Sequence, residues 1–340
     1  MSYHRGTALH AVAIGVGLLI TPLTAMAQAP DPSPAPDPTS IWTLQDENAG
    51  ISTAGLTDRY YTNGLKLGWT SGTDAVPGAL ENMGRALWGD GQMRISFDLT
   101  QQIYTPADTS TGDPPPGDRP FAGVLLGNFG LWSDTATTRS TVDFSLGILG
   151  PAALGEQLQN GFHSAIGQGE VHGWGTQLNN EPMFEFYSER VWRLNLGNTG
   201  SLETQALPDL NIGLGVLRVY AQTGVLFRIG QGLDSDFGPA QVRPGGSGGD
   251  AFQPTRPFAW YVFAGGNGEG IAHDVTLEGN TWQASRGVKI IPYVGEAEFG
   301  FGIMAWGMRW TYTQSFQTYD FRTQHGGLHQ MGSLALSVRF

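Results

Sequence analysis

The chain has 340 residues, no cysteine, and 18 Lys and Arg against 30 Asp and Glu, a formal net charge of −12 at pH 7. Disulfide bracing is thereby excluded, and so is nucleic acid as a partner, because phosphate binding needs a basic surface and lysine stands only at Lys66 and Lys289. Glycine, at 50 residues, is about twice as frequent as in an ordinary globular domain, and aromatic residues are abundant.

Residues 1–27 read as a signal peptide: Arg5, an apolar run over 11–20, and Ala25-Met26-Ala27 as a small-x-small cleavage pattern. Residues 28–40 are rich in proline and small residues and read as an extended, flexible segment. Residues 41–340 then form one β domain. Its strands are predicted at 41–47, 60–70, 93–104, 121–132, 140–149, 183–194, 204–217, 220–229, 258–266, 289–299, 301–316 and 328–340. Twelve is even, which suits a closed antiparallel transmembrane barrel. The last strand, "SLALSVRF", carries the strongest signal. Leu334, Leu336, Val338 and Phe340 alternate with Ser333, Ala335, Ser337 and Arg339, the apolar-out, polar-in pattern of a bacterial outer-membrane strand. Such a terminal aromatic strand also predicts recognition by the barrel assembly machinery. The glycines 213, 215, 300, 302 and 307 are read inside strands, where they permit bends and close packing.

One segment breaks the period of two. In 151–167, Leu154, Leu158, Phe162 and Ile166 recur every four residues, between Pro151 and Gly167. This is helix spacing, read as a short helix inserted between strands near the extracellular side, where it could plug or cap the barrel mouth. Gln159 and His163, also four apart, share a face of that helix. The Gly- and Pro-rich connections "TPADTSTGDPPPGDRP" and "GLDSDFGPAQVRPGGSGGDAFQPTRP" are read as long extracellular loops.

For chemistry, His163 is the leading general base, since histidine is the commonest proton-transfer side chain. Its alternative is a surface histidine. His172 lies in a Gly-rich stretch, and His273, His325 and His329 have no evident partners. No G-x-S-x-G elbow and no zinc spacing occurs. Asp46, Glu47 and Asn48 offer oxygen ligands of the kind calcium takes, the alternative being solvated loop residues.

Five blocks in order, "TDRYYTNGLKLGW", "QQIYTP", "DRPFAGVL", "GEQLQNGFHSAIG" and "GWGTQLNNEP", resemble the outer-membrane lipid A 3′-O-deacylase family (LpxR-type). The resemblance covers essentially the whole mature chain. It implies a twelve-stranded barrel in the bacterial outer membrane and calcium-dependent removal of the 3′-linked acyloxyacyl chain from lipid A of the lipopolysaccharide. A histidine would activate water, and calcium would stabilise the oxyanion. Carried over, the family's helix histidine falls on His163, with Gln159 beside it, and its second-strand threonine on Thr62. The family's first-strand Asn-Asp pair falls within Asp46, Glu47 and Asn48 in either of two registers, and both alter it. A lysine that follows the "IY-small-P" block in the family has no counterpart between Ile103 and Asp118, which leaves Arg119 as a substitute or the charge absent. These departures sustain a second reading, a non-catalytic structural or binding barrel with a decayed site. A pore is a third. Asp58 and Arg59 are read as structural contacts at the strand entry.

Overall fold

The computed structural model describes residues 34–52, 59–239 and 251–340. The signal peptide, much of the Pro-rich segment and Asp58 lie outside these residues. Thirteen strands form one antiparallel sheet: β1 (Ile41–Asn48), β2 (Tyr60–Thr70), β3 (Gln92–Thr105), β4 (Ala122–Asp134), β5 (Thr138–Leu149), β6 (Glu181–Trp192), β7 (Leu194–Thr199), β8 (Leu202–Gly215), β9 (Arg218–Gln231), β10 (Phe258–Asp274), β11 (Tyr293–Ala305), β12 (Met308–Gln317) and β13 (His329–Arg339). Neighbours in sequence pair except β6 and β7, β1 pairs with β13, and β6 pairs with β8, so the sheet closes. The short β7 continues along β8 beyond Arg193. The wall thus holds twelve strand positions plus one extra strand, as the alternation predicts.

Several strand boundaries differ from the sequence reading; β10, for one, runs to Asp274, past the predicted end at 266. The final β-turn before β12 falls at Trp306-Gly307, both at positive φ (53° and 75°), so β11 runs on through Gly300 and Gly302, and Gly307 belongs to the turn. A helix, α1 (Gly78–Trp88), fills the connection from β2 to β3. Gly213 and Gly302 sit where neighbouring aromatics need space: a Cβ at Gly213 would overlap the Tyr220 ring, and one at Gly302 the Tyr261 ring.

The barrel is inverted relative to a soluble protein. Leu44, Leu67, Phe97, Leu99, Phe144, Leu146 and Leu334 face out and are exposed, while Thr43, Gln45, Lys66, Arg94, Asp98 and Ser337 point in and are buried. Buried inner polar groups pair across strands, as Thr43 Oγ1 does with Ser337 Oγ (2.8 Å) and Gln45 Nε2 with Ser333 Oγ (3.0 Å). Apolar surface left outside is stable only where the surroundings are hydrocarbon.

Residues 232–239 and 251–257 close one mouth of the barrel. This corrects the reading of that connection as extracellular. Arg139 donates to the Ala251 carbonyl (3.1 Å) and Arg339 to the Phe252 carbonyl (2.6 Å). Arg339 adjoins Phe340, whose N–H bonds the Ser40 carbonyl, so this is the mouth where β1 starts and β13 ends. Antiparallel order requires it: the connection after β9 returns to the end from which β1 departs. The closure is tied by Asp236, which accepts from Arg228 Nη1 (2.5 Å), Tyr261 Oη (3.0 Å) and Arg309 Nη1 (3.3 Å). Phe237, Phe252 and Leu233 pack there in one apolar cluster with Trp132, Tyr261 and Phe263. Burial alone would raise the Asp236 carboxyl, but the Arg228 and Arg309 charges outweigh it and hold it below its ordinary value.

Candidate active site on the outer wall

At the opposite mouth, outward-facing residues of β1–β4 line up in register as Asn48, Asn63, Ile103 and Gly123. The pairing of β2 with β3 slips between Tyr61 and Asn63, leaving Thr62 as a bulge residue. Bulges re-aim a side chain. Here Thr62 is buried against Thr105, with the two hydroxyls 2.7 Å apart. One step along the strand, Asn63 Nδ2 donates to Asp46 Oδ1 (2.7 Å).

Ile103 belongs to this outward row, yet it is buried. The helix α2 (Gly155–Ile166) explains why. It packs on the outer faces of β3 and β4 rather than across the mouth. Its first residue rests on Gly123, where an added Cβ would lie 3.2 Å from Gly155 Cα. Leu158 packs into a cluster of Ile103, Phe121, Val171 and Trp174. The helix begins later than its Pro151 suggests, because Pro151–Ala153 form a 3-10 turn and Leu154 sits at φ 61°. It ends at Gly167 as predicted, at φ 75°. Its orientation reverses that of a helix on a water-soluble domain. Leu154, Phe162 and Ile166 are exposed, and Gln159 and His163 are buried. The outer surface of a membrane barrel meets lipid, so the apolar stripe faces out and the polar pair turns to the wall.

Both polar side chains are fixed in orientation. Trp174 Nε1–H donates to Gln159 Oε1 (3.0 Å). Indole nitrogen only donates, so the amide cannot be flipped. Its Nε2 is therefore buried, with no hydrogen-bond partner among the described residues. His163 Nδ1 lies 2.8 Å from the Gly169 carbonyl. A carbonyl only accepts, so Nδ1 carries the proton and Nε2 is the basic nitrogen of the neutral ring. Asn160 holds the returning chain in place, accepting from Val171 N–H (2.8 Å) and donating to its carbonyl (3.3 Å).

The strand period divides the Asp46–Asn48 segment. Asp46 and Asn48 face out with Asn63, and Asn48 Oδ1 accepts from Gly50 N–H (2.6 Å). Glu47 faces the lumen, where it accepts from Tyr61 Oη (3.1 Å) and Gln45 Nε2 (3.3 Å). The three oxygen groups do not converge, and among the described residues no cluster of three or more His, Asp or Glu has metal-binding geometry. The outward oxygens of Asp46 and Asn48, near the Thr62–Thr105 hydroxyls, match a hard cation in ligand type; Glu47 does not belong to that set.

Arg119, the possible substitute for a missing lysine, also lies on the other side. It stacks over the lumenal Tyr104 ring at 4.6 Å and donates to Thr276 Oγ1 (2.9 Å). Two other histidines make structural contacts: His273 Nδ1 is 2.8 Å from Glu278, and buried His329 places Nε2 3.1 Å from the Tyr61 carbonyl. Both have the partners that the sequence does not reveal. Arg59 makes the expected structural contact, to the Gly326 carbonyl (2.9 Å). Sequence reasoning did not single out Thr105, Asn63 or Trp174. All three stood inside the quoted blocks "TDRYYTNGLKLGW", "QQIYTP" and "GWGTQLNNEP", but the bulge that brings Thr105 to Thr62 has no local signature.

A family model described as Outer membrane protein LpxR matches residues 12–340. Among solved structures, LpxR from Salmonella typhimurium is similar with a TM-score of 0.73 at 21% identity, over 88% of this chain and all of that one. The β domain of the Bordetella autotransporter BrkA matches with a TM-score of 0.40 at 11% identity, covering 90% of this chain and 99% of that one. No match was found among curated protein sequences.

Proposed function

This chain belongs to the LpxR family of outer-membrane proteins, and from that premise we propose that it is a lipid A deacylase of the bacterial outer membrane that hydrolyses the ester of the 3′-linked acyloxyacyl chain. The observation that carries this reading is the pair of oriented polar groups, Gln159 and His163, buried between α2 and a lipid-facing wall. A bilayer lipid reaches that position sideways, without entering the lumen.

His163 Nε2 takes a proton from water as the water oxygen attacks the ester carbonyl. Gln159 Nε2 donates to the carbonyl oxygen as negative charge develops on it; a buried donor with no competing partner among the described residues is pre-organised for that charge. The tetrahedral species collapses, the sugar oxygen leaves with the proton returned by His163, and a carboxylic acid is released. The Thr62–Thr105 hydroxyls orient the water or the ester. Calcium, held by Asp46 and Asn48, would add positive charge near the carbonyl. Phe340 and its strand serve recognition by the barrel assembly machinery.

Purified barrel incubated with lipid A tests the proposal. Mass spectrometry should show loss of one acyloxyacyl mass, and no loss with His163→Ala. An intact barrel that leaves lipid A unchanged would favour the decayed-site alternative, whose support is the absent lysine and the divided Asp46–Asn48 segment.

A further inference from the structure

Between the site and the closed mouth, the outer faces of the first six strands carry side chains in cross-strand rows. The lower row is wholly aromatic: Trp42, Trp69, Phe97, Phe129, Phe144 and Phe186. The row above it runs Leu44, Leu67, Leu99, Gly127 and Leu146. Gly127 interrupts that row. A Cβ there would meet nothing closer than the Leu146 carbonyl oxygen at 3.8 Å. The gap opens a hollow of about 430 Å³ in the wall, lined mainly by apolar residues, with Asp98 and Asn128 the polar ones that border it.

We propose that this hollow takes the hydrocarbon chain of the acyl group cleaved at the site, and that the aromatic row beneath it sets the longest chain accepted. The inference rests on the ester-hydrolase reading above. Its first support is continuity of register. The site row, Asn48 to Gly123, is followed on the same strands by Asp46, Leu65, Gln101 and Leu125, then by the Gly127 row, then by the aromatic row. Each step is two residues, about 6.7 Å, so the aromatic row lies about 20 Å along the strands from the site. With strands tilted by about 40°, that is a depth of about 15 Å, half of a hydrocarbon core about 30 Å thick. An acyl chain anchored at the site would therefore end at the ledge.

The second support is the ledge itself. Trp69 stacks on Phe97 at 6.2 Å, and Phe97 meets Phe129 at 5.1 Å. Rings in contact along the row form a continuous ledge beneath the hollow.

The test uses lipid A species that differ in the length of the 3′ acyl chain, supplied together in mixed micelles, with products counted by mass spectrometry. The wild type should show a sharp upper length limit. Gly127→Leu fills the hollow and should cut turnover of the preferred length at least tenfold while sparing shorter chains. Phe129→Ala opens the ledge and should admit longer chains. Unchanged length profiles in both variants, with activity intact, would overturn the inference. If the wild type hydrolyses no lipid A, the deacylase reading fails, and the hollow is tested without turnover. Lipid A brominated at the chain end should then quench the Trp42–Trp69 emission more than brominated phospholipid does, and Gly127→Leu should abolish the difference. Equal quenching by both lipids would overturn the inference and mark the hollow as bulk-lipid contact.

Discussion

Two side chains on α2 carry the proposed chemistry, and each role follows from what its other polar atom does. Trp174 occupies the oxygen of Gln159, so the nitrogen remains to donate. The Gly169 carbonyl accepts from Nδ1 of His163, which puts the lone pair on Nε2. Gln159→Leu keeps the volume and removes the donor. It should lower kcat about 10²–10³-fold with little change in KM, in steady-state assays on lipid A, because the lost hydrogen bond strengthens only in the transition state. His163→Ala should lower kcat by about 10²–10⁴-fold at unchanged barrel stability, checked by heat-modifiable gel mobility. Similar rates for the variants and the wild type would place the chemistry elsewhere. His163 and Gln159 were legible as one helix face from their spacing alone. Their burial was not, because that depends on lipid lying outside the helix. Likewise, the period of two already assigned Glu47 to the face opposite Asp46 and Asn48, so a shared ligand role for all three conflicted with the strand that carries them.

The helix α2 is docked on the barrel by the close approach of Gly155 to Gly123 and by the insertion of Leu158 beside Ile103. It contributes little to the barrel's own hydrogen-bond ladder. Gly155→Val should push the helix off the wall, since a Cβ there would lie 2.8 Å from the Trp174 ring. The expected outcome is at least a tenfold loss of turnover and new protease cleavage within 155–166, with the thermal transition of the barrel shifted by no more than a few degrees. An undiminished rate would show that the docked helix is not needed. The strands show the same division between local and global information. β13 was legible to within one residue at each end because one face meets lipid and the other the lumen. The turn at Trp306-Gly307 was misplaced because Gly300 and Gly302 mimic turn chemistry inside β11. Their actual role is to accept the rings of Phe263 and Tyr261 from the neighbouring strand, a non-local requirement.

The whole barrel is open to lipid on its flank and closed at the mouth where β1 starts. Strand parity alone assigns residues 232–239 and 251–257 to that mouth; the length and glycine content of the connection suggested the other. The closure hangs on buried acids, Asp236 under Arg228 and Arg309, and Asp37 between Arg94 (2.6 Å) and Arg339 (2.8 Å). Burial works against the Asp37 carboxyl, but hydrogen bonds from Arg339 and the Arg94 and Arg339 charges hold it below its ordinary 3.8. A lowered folded-state pKa stabilises above the unfolded value and is lost as pH falls through the folded value. The closure should therefore be firm at pH 5–8 and loosen only below about pH 4, seen as ion conductance in planar bilayers that is silent at neutral pH. Asp236→Ala leaves two buried guanidinium groups uncompensated and should cost about 3–5 kcal/mol in denaturant unfolding. Conductance of the wild type at neutral pH would instead support a pore. The decisive measurement is mass spectrometry of lipid A after incubation with the folded wild-type barrel, in calcium, in chelator, and with His163→Ala in parallel. The account predicts calcium-dependent loss of one acyloxyacyl mass that vanishes in the variant. Lipid A unchanged under all three conditions, from a barrel shown to be folded, would contradict it.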